Sequence, residues 1–189
     1  MRPPELDRPD VYLRSLRVDD AAAWLEYLSD PRAIELTSYD IRSIDEVRSM
    51  IDGYAATQNA GGPARWAIAL RENDALVGTC GFHSWAPRDL RAEIGYDLSP
   101  ALWGRGIASA SVAATVTSAF AATNLNRIDA FVMVENTTSQ RVLEKCGFTK
   151  EGRLARYRNC RGTFRDFYIY GLLSQAIEQK IVEVAKPGE

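Results

Sequence analysis

Hydrophobic and polar positions alternate along Val-Tyr-Leu-Arg-Ser-Leu at residues 11–16, the period of two that a strand half-buried in a sheet requires. Asp19 and Asp20 then precede Ala21-Ala22-Ala23-Trp24-Leu25-Glu26-Tyr27-Leu28, an acidic start followed by an apolar helical stripe that Pro31 is expected to close. Ser43 with Glu46 three residues on has the spacing of a capping box. It opens a second helix with Val47, Met50, Ile51 and Tyr54 on one face. After Gly61-Gly62-Pro63 the pattern changes to strands, 65–70 and 76–83, joined by the polar turn Arg71-Glu72-Asn73-Asp74. A turn at Pro87-Arg88-Asp89 leads to a strand over 91–98.

A long run of small residues follows to Ala122, in which Ile107, Val112, Val116 and Phe120 mark one helical face. Its Ala and Ser residues allow close packing on a sheet. Residues 127–134 read as a strand, and Asn136 to Lys145 as a helix ended by Gly147 at C′. Residues 150–158 and 163–173 form a last hairpin around Asn159-Cys160-Arg161-Gly162, with a terminal helix to about Val184. The central strand–helix–strand favours one parallel pair in an otherwise antiparallel sheet. The expected fold class is mixed α/β (α+β), with about seven strands flanked by helices, in one domain over 1–189 whose core spans about 9–175.

Composition narrows the function classes. The chain has 189 residues, 46% of them hydrophobic, and 23 Lys+Arg against 25 Asp+Glu. A net charge of −2 argues against a generic nucleic-acid binder. Cys80, Cys146 and Cys160 form no C-x-x-C pair, so neither a disulfide framework nor a structural zinc site is expected. The single histidine, His83, weakens metal catalysis further, and no metal is expected. No apolar stretch approaches 18 residues and the N-terminus lacks an apolar signal segment, so no membrane association and a cytoplasmic location are expected.

The clearest chemical signal is Gly104-x-Gly106 between a strand and a helix. Paired glycines allow a tight turn and a close backbone approach to a ligand. The free N–H groups of the following helix start favour an anion. The spacing fits neither a P-loop, for want of G-x-x-x-x-G-K-[ST], nor a dinucleotide fingerprint, which needs glycine where Ser109 stands.

Glu93-Ile94-Gly95-Tyr96-Asp97-Leu98-Ser99-Pro100 followed by Leu102-Trp103-Gly104-Arg105-Gly106-Ile107-Ala108 resembles the acetyl-CoA-binding motif of the GNAT N-acetyltransferase superfamily. Asn136-x-x-Ser139-x-x-Val142-Leu143-Glu144-Lys145-Cys146-Gly147-Phe148 is similar to that superfamily's following segment, and Asp166-Phe167-Tyr168-Ile169-Tyr170 continues it. The match is with the RimJ/RimL branch and covers the whole chain, most weakly before residue 65. The resemblance implies a GNAT-like acyl-CoA N-acyltransferase fold. It implies direct acetyl transfer from acetyl-CoA, as cosubstrate, to a primary amine of a protein N-terminus or a small molecule. A ribosomal protein is one acceptor it suggests, and a homodimer one assembly.

The resemblance also assigns residues. Tyr96, Asp97 and Leu98 would meet the pantetheine arm. Trp103, Gly104, Arg105, Gly106, Ile107 and Ala108 would hold the pyrophosphate, mainly through backbone. Asn136 and Ser139, at i and i+3 on one helix face, would lie near the pantetheine and the sulfur. Many members carry an acidic tyrosine where this chain has Leu143, so Ser139 is the candidate partner of the leaving thiolate. Asn136 reads equally as a helix cap.

Glu93 is the candidate base, read against a structural ion pair with Arg91 or another arginine. Asp97 has a second reading as a turn or pairing residue, and His83 as a base or a rim residue. Cys146 reads as core. The arginines at 153, 156, 158, 161 and 165 read as a solvated hairpin face or as a rim for an acidic partner, the CoA 3′-phosphate or RNA. The rival functions are a non-catalytic acyl-CoA-binding module and an RNA-associated domain.

Overall fold

In a computed structural model, residues 1–174 are described; the expected terminal helix lies outside them. Strand β1 (Val11–Ser15) is followed by helices α1 (Ala21–Leu28), α2 (Pro31–Ile34) and α3 (Ile44–Asn59). Next come β2 (Arg65–Leu70), β3 (Leu76–Ala86) and β4 (Arg91–Leu98), then α4 (Ile107–Ala122), β5 (Arg127–Met133), α5 (Thr137–Lys145), β6 (Thr149–Cys160) and β7 (Thr163–Leu173). Seven strands form one sheet in the order β1-β2-β3-β4-β5-β7-β6. Every neighbouring pair is antiparallel except β4 with β5, which are parallel. The mixed, mostly antiparallel sheet expected from the chain's pattern is the one observed.

Alternation along β2 explains the two helical layers. Trp66 and Ile68 enter a core with Val112 and Val116 of α4. Ala67, between them, enters a second core with Trp24 and Tyr27 of α1 and Val47 and Ile51 of α3. Helix α4 lies close on the sheet because Ser111, Thr115 and Ala119 are fully buried among its larger apolar residues.

Two local expectations need correction. Pro31 does not close α1, which ends at Leu28; it opens α2 at N1, where its missing N–H costs nothing. Asp30 caps that turn by accepting from the Arg32 N–H at 2.9 Å. The capping box at α3 is half formed. Ser43 Oγ accepts from the Glu46 N–H at 3.2 Å, but Glu46 Oε2 accepts from the Arg42 N–H at 2.7 Å.

The feature that creates a site is the short contact between β4 and β5. Their pairing covers only Arg91↔Arg127, Ala92↔Ile128 and Glu93↔Asp129. Buried Asp129 anchors that end, accepting from Arg127 Nε at 2.5 Å and Arg91 Nη1 at 3.4 Å. Beyond it the strands diverge: β4 pairs only with β3, while β5 pairs with β7 as far as Met133↔Phe167.

Candidate active site

A cavity of about 730 Å³ fills the divergence, within the usual size for a small-molecule site. Ile94 to Leu98 of β4 form one wall and Ala130 to Met133 of β5 the other. One end is lined by Leu102 to Gly104, Gly106 to Ser109 and α5, the opposite end by His83, Ser84, Glu93, Arg158 and Phe167.

At the first end, Gly104 and Gly106 both adopt positive φ, +77° and +75°, a conformation open to glycine at no steric cost. Gly106 is the N-cap of α4 and has no side chain to cap it. The first intrahelical bond is Ala110 N–H to Gly106 O at 3.0 Å, so the N–H groups of Ile107, Ala108 and Ser109 find no partner in the helix itself. Arg8 Nη1 braces the loop by donating to Arg105 O at 3.2 Å. Trp103 is 37% exposed and donates its indole N–H to Leu98 O at 2.8 Å, tying the loop to the end of β4.

On the α5 side, Tyr96 reaches Ser139. Their hydroxyls are 2.7 Å apart, and the Tyr96 O–H is 3.0 Å from Ser139 O. Burial pushes the Tyr96 phenol above its ordinary range. Asn136 caps α5 by accepting from the Ser139 N–H at 2.9 Å, and its amide donates to Leu36 O at 3.2 Å. Its side chain is thus already bonded at both ends. Leu143 is buried, 1% exposed.

On the other face of β4, Asp97 is 8% exposed and its carboxylate is saturated. It accepts from Arg65 Nη2 at 2.8 Å, Thr79 Oγ1 at 2.7 Å and Tyr39 Oη at 3.1 Å, and also from Tyr27 Oη. The side chain thus takes the pairing role that is one reading of Asp97, and a pantetheine contact from this residue would be made by its main chain. Arg65 also donates to Gly95 O at 3.2 Å. Burial opposes its charge, but Tyr39, Tyr54 and Asp97 outweigh that and hold its pKa above the ordinary value.

Glu93 Oε1 accepts from Arg158 Nη2 at 2.8 Å, so the ion pair weighed for Glu93 forms with β6. Gly95, two residues on, lies under His83. The His83 Nδ1 is 3.2 Å from Tyr54 Oη. The protein packed around the imidazole, with the Arg65 and Arg158 charges, depresses its pKa. The ring also faces the open cavity.

The arginines of the last hairpin are engaged within the protein, Arg158 with Glu93. Arg153 and Arg165 pair with Asp166 and Glu135, and Arg156 lies over the Phe164 ring. Arg161 Nη1 donates to Thr37 O at 3.0 Å and Tyr39 O at 2.7 Å. With the Asn136 bond to Leu36, this pins the segment after α2 over the cavity. Cys146 is half-buried and packs against the core, its Sγ 3.4 Å from Ser109 O. Cys80 is fully buried, and burial pushes its thiol up to about 12, which makes it a poor nucleophile. Among the described residues no cluster suits a metal ion and no helix is long and apolar enough to cross a membrane.

The sequence placed Glu93, Tyr96, the glycine loop, Asn136 and Ser139, and the structure gathers all of them around one cavity. Arg158 as the partner of Glu93, and Tyr96 as the partner of Ser139, were not read beforehand. Each pair joins residues at least 43 positions apart, with no local signal linking them.

The family model of the acetyltransferase (GNAT) domain matches residues 10–149. The chain is 37% identical over 167 residues to an uncharacterized N-acetyltransferase, p20, of Bacillus licheniformis, covering 86% of this chain and 92% of that one. It is 37% identical over 174 residues to the uncharacterized N-acetyltransferase YoaA of Bacillus subtilis, covering 90% and 97%. Among solved structures, Mycobacterium smegmatis RimJ in complex with CoA-disulfide is similar with a TM-score of 0.80 and 28% identity, over 97% of this chain and 98% of that one.

Proposed function

The chain belongs to the GNAT acetyltransferase family and is an acetyltransferase, and from that premise we propose that it transfers acetyl from acetyl-CoA to a primary amine inside the β4–β5 cleft. The observation that carries this reading is the end of β4–β5 pairing at Glu93↔Asp129. An extended arm bearing amides fits there because the freed edge of β4 can hydrogen-bond to it as a strand would. The diphosphate fits the start of α4, where helix N–H groups and the macrodipole favour an anion. That a similar protein, Mycobacterium smegmatis RimJ, was solved in complex with CoA-disulfide supports a CoA-type cosubstrate in this reading.

Acetyl-CoA supplies an activated thioester; the chain's part is to bind, orient and move protons. Ordering two reactants in one cleft can supply up to roughly 7–11 kcal/mol of the barrier. Gly104 and Gly106 shape the anion loop, and Tyr96 to Leu98 provide the strand edge. Glu93, fixed by Arg158, orients the acceptor amine at the far end. Ser139 hydrogen-bonds the departing thiolate from the α5 side. The acceptor is a peptide N-terminus or a small-molecule amine, and the N-terminus of a ribosomal protein is one member of the peptide class.

The test is thiol release from acetyl-CoA with a panel of amines: peptides with free N-termini, amino acids and polyamines. Acceptor-dependent release with acetylated product by mass spectrometry is expected. Tight acetyl-CoA binding without turnover on any amine would replace this reading with the acyl-CoA-binding module.

A further inference from the structure

Strand β3 pairs with β4 in register through Phe82↔Ile94, and the next pair is Ser84↔Glu93. His83 is the extra residue between them, a β-bulge. Bulges re-aim a side chain and recur beside active sites. Here the bulge keeps Phe82 in the core and lets Trp85 meet it edge-on, with ring centroids 5.7 Å apart. The imidazole in between is turned onto β4 at Gly95. A Cβ built on Gly95 would lie 2.0 Å from His83 Nε2 and 2.4 Å from Cδ2, so the ring has its place because residue 95 is glycine. Tyr54 of α3 holds the opposite nitrogen, Nδ1, at 3.2 Å. The ring thus stands on the β4 wall of the cavity, on the face shared with Glu93.

Resting on the acetyl-transfer reading, we propose that His83 Nε2 accepts the proton of the attacking amine, with Tyr54 accepting the Nδ1–H and so holding the Nε2 lone pair toward the cleft. Glu93 is already engaged with Arg158; His83 is a neutral nitrogen base on the same wall. The amine enters uncharged and its nitrogen forms a bond to the thioester carbonyl carbon. One N–H proton passes to Nε2 as the C–S bond breaks and the electron pair leaves on sulfur. The imidazolium returns its proton to solvent, and the thiolate takes one through water, which balances the transfer.

The titratable and charged groups around the ring are Tyr54 on α3, Arg65 on β2, Glu93 and Asp97 on β4, Tyr39 after α2 and Arg158 on β6. The two guanidiniums oppose a resting positive charge on the imidazole. The ring is therefore neutral at rest and a weak base, which holds the amine proton only until solvent takes it.

The sequence contains one histidine, so long-range ¹H–¹⁵N NMR of the tag-free chain reads this imidazole without assignment. The expected signals are those of the Nδ1–H tautomer, with Tyr54→Phe shifting the population toward Nε2–H. A wild-type ring in the Nε2–H tautomer overturns the proposal. In parallel, kcat/KM is followed against pH with acetyl-CoA and the amine panel. His83→Gln is expected to lose about 100-fold together with the acidic limb, and acetyl-CoA affinity stays within a few-fold. Glu93→Gln is expected to keep that limb. Wild-type activity with an equally active His83→Gln overturns the base and leaves the acetyl-transfer reading standing. A wild type that acetylates no amine overturns that reading, and the proposal with it. Tyr54→Phe, which leaves the bulge intact, gives the same answer should His83→Gln fail to fold: a kcat loss with the acidic limb moved supports the base, and an unmoved profile refutes it.

Discussion

The hydroxyls of Tyr96 and Ser139 lie 2.7 Å apart across the gap between β4 and α5, and the Tyr96 O–H also faces the Ser139 carbonyl at 3.0 Å. Tyr96 has one proton to give. When it goes to the carbonyl, the serine hydroxyl donates to the phenol; when it goes to Ser139 Oγ, the serine proton is released toward the cleft. Burial holds the phenol protonated throughout the neutral range. The two residues therefore form one hydrogen-bonding unit, on the helix turn proposed to meet the leaving thiolate.

This predicts that Ser139→Ala lowers kcat while acetyl-CoA affinity stays within a few-fold, the pattern for loss of a contact made in the transition state. Tyr96→Phe should lose part of the same rate, and the double variant should lose less than the two together, because coupled groups are not additive. Cys146→Ala should be active, as direct transfer needs no acyl-cysteine. A silent Ser139→Ala, or an acetyl-cysteine trapped in the wild type and absent from Cys146→Ala, would refute direct transfer in this form.

Gly104→Val is expected to weaken acetyl-CoA binding at least about tenfold with the chain still folded. Nothing lies within 4 Å of a Cβ at Gly104, so no neighbour in the protein is displaced. The effect comes through the backbone, since φ is +77° and holding a non-glycine residue there costs roughly 1–3 kcal/mol. The loop either relaxes to negative φ, turning N–H groups away from the anion site, or stays strained. Isothermal titration of acetyl-CoA beside a thermal melt separates these from unfolding; unchanged affinity in a folded variant removes the loop from the site.

Local signals carried much of this fold. The period-two runs at 65–70 and 91–98 and the glycine pair before Ile107 mark elements whose causes lie within a few residues. Strand–helix–strand around α4 was enough to expect the parallel β4–β5 pair, because crossover connections permit little else. What was not legible depends on distance along the chain. Arg65 finds Asp97 across 32 residues and Arg158 finds Glu93 across 65, and in a chain with 23 basic residues no pattern selects those partners. The bulge at His83 was hidden for another reason. One inserted residue leaves the apolar pattern nearly intact, and its only trace is that Phe82 and Trp85, three apart, share a face.

Asp97→Ala should destabilise the protein by about 3–5 kcal/mol, the usual result of leaving one partner of a buried ion pair uncompensated. The Arg65 and Asp97 side chains are 0% and 4% exposed, and the same carboxylate gathers hydroxyls from Tyr27, Thr79 and Tyr39. The pair clamps α1 and the segment after α2 onto β4. Replacing both charges, as Arg65→Met with Asp97→Leu, should recover part of the loss, since no charge then stays buried alone. Urea unfolding followed by circular dichroism gives the values. A loss under about 1 kcal/mol for Asp97→Ala would mean that water replaces the carboxylate and the network does not hold the helical layer.

His83 also makes a prediction about stability against pH that needs no substrate. Its folded pKa lies below the unfolded value of about 6.5, because packing and the Arg65 and Arg158 charges disfavour the imidazolium. Below that pH the unfolded chain binds a proton that the folded chain resists, so stability falls as pH drops from about 7 toward 5. The limiting slope for one full proton is about 1.4 kcal/mol per pH unit. The ring's exposure to cavity solvent reduces the slope below that limit. In His83→Gln the contribution is gone, while the carboxylates that titrate in the same range are unchanged and cancel in the comparison. Urea unfolding of both proteins between pH 7.5 and 4.5 should therefore show the wild type losing more stability than the variant, with the curves separating near pH 6.5. Parallel curves would mean that the imidazole titrates alike folded and unfolded, and that neither the packing nor the two guanidiniums act on it.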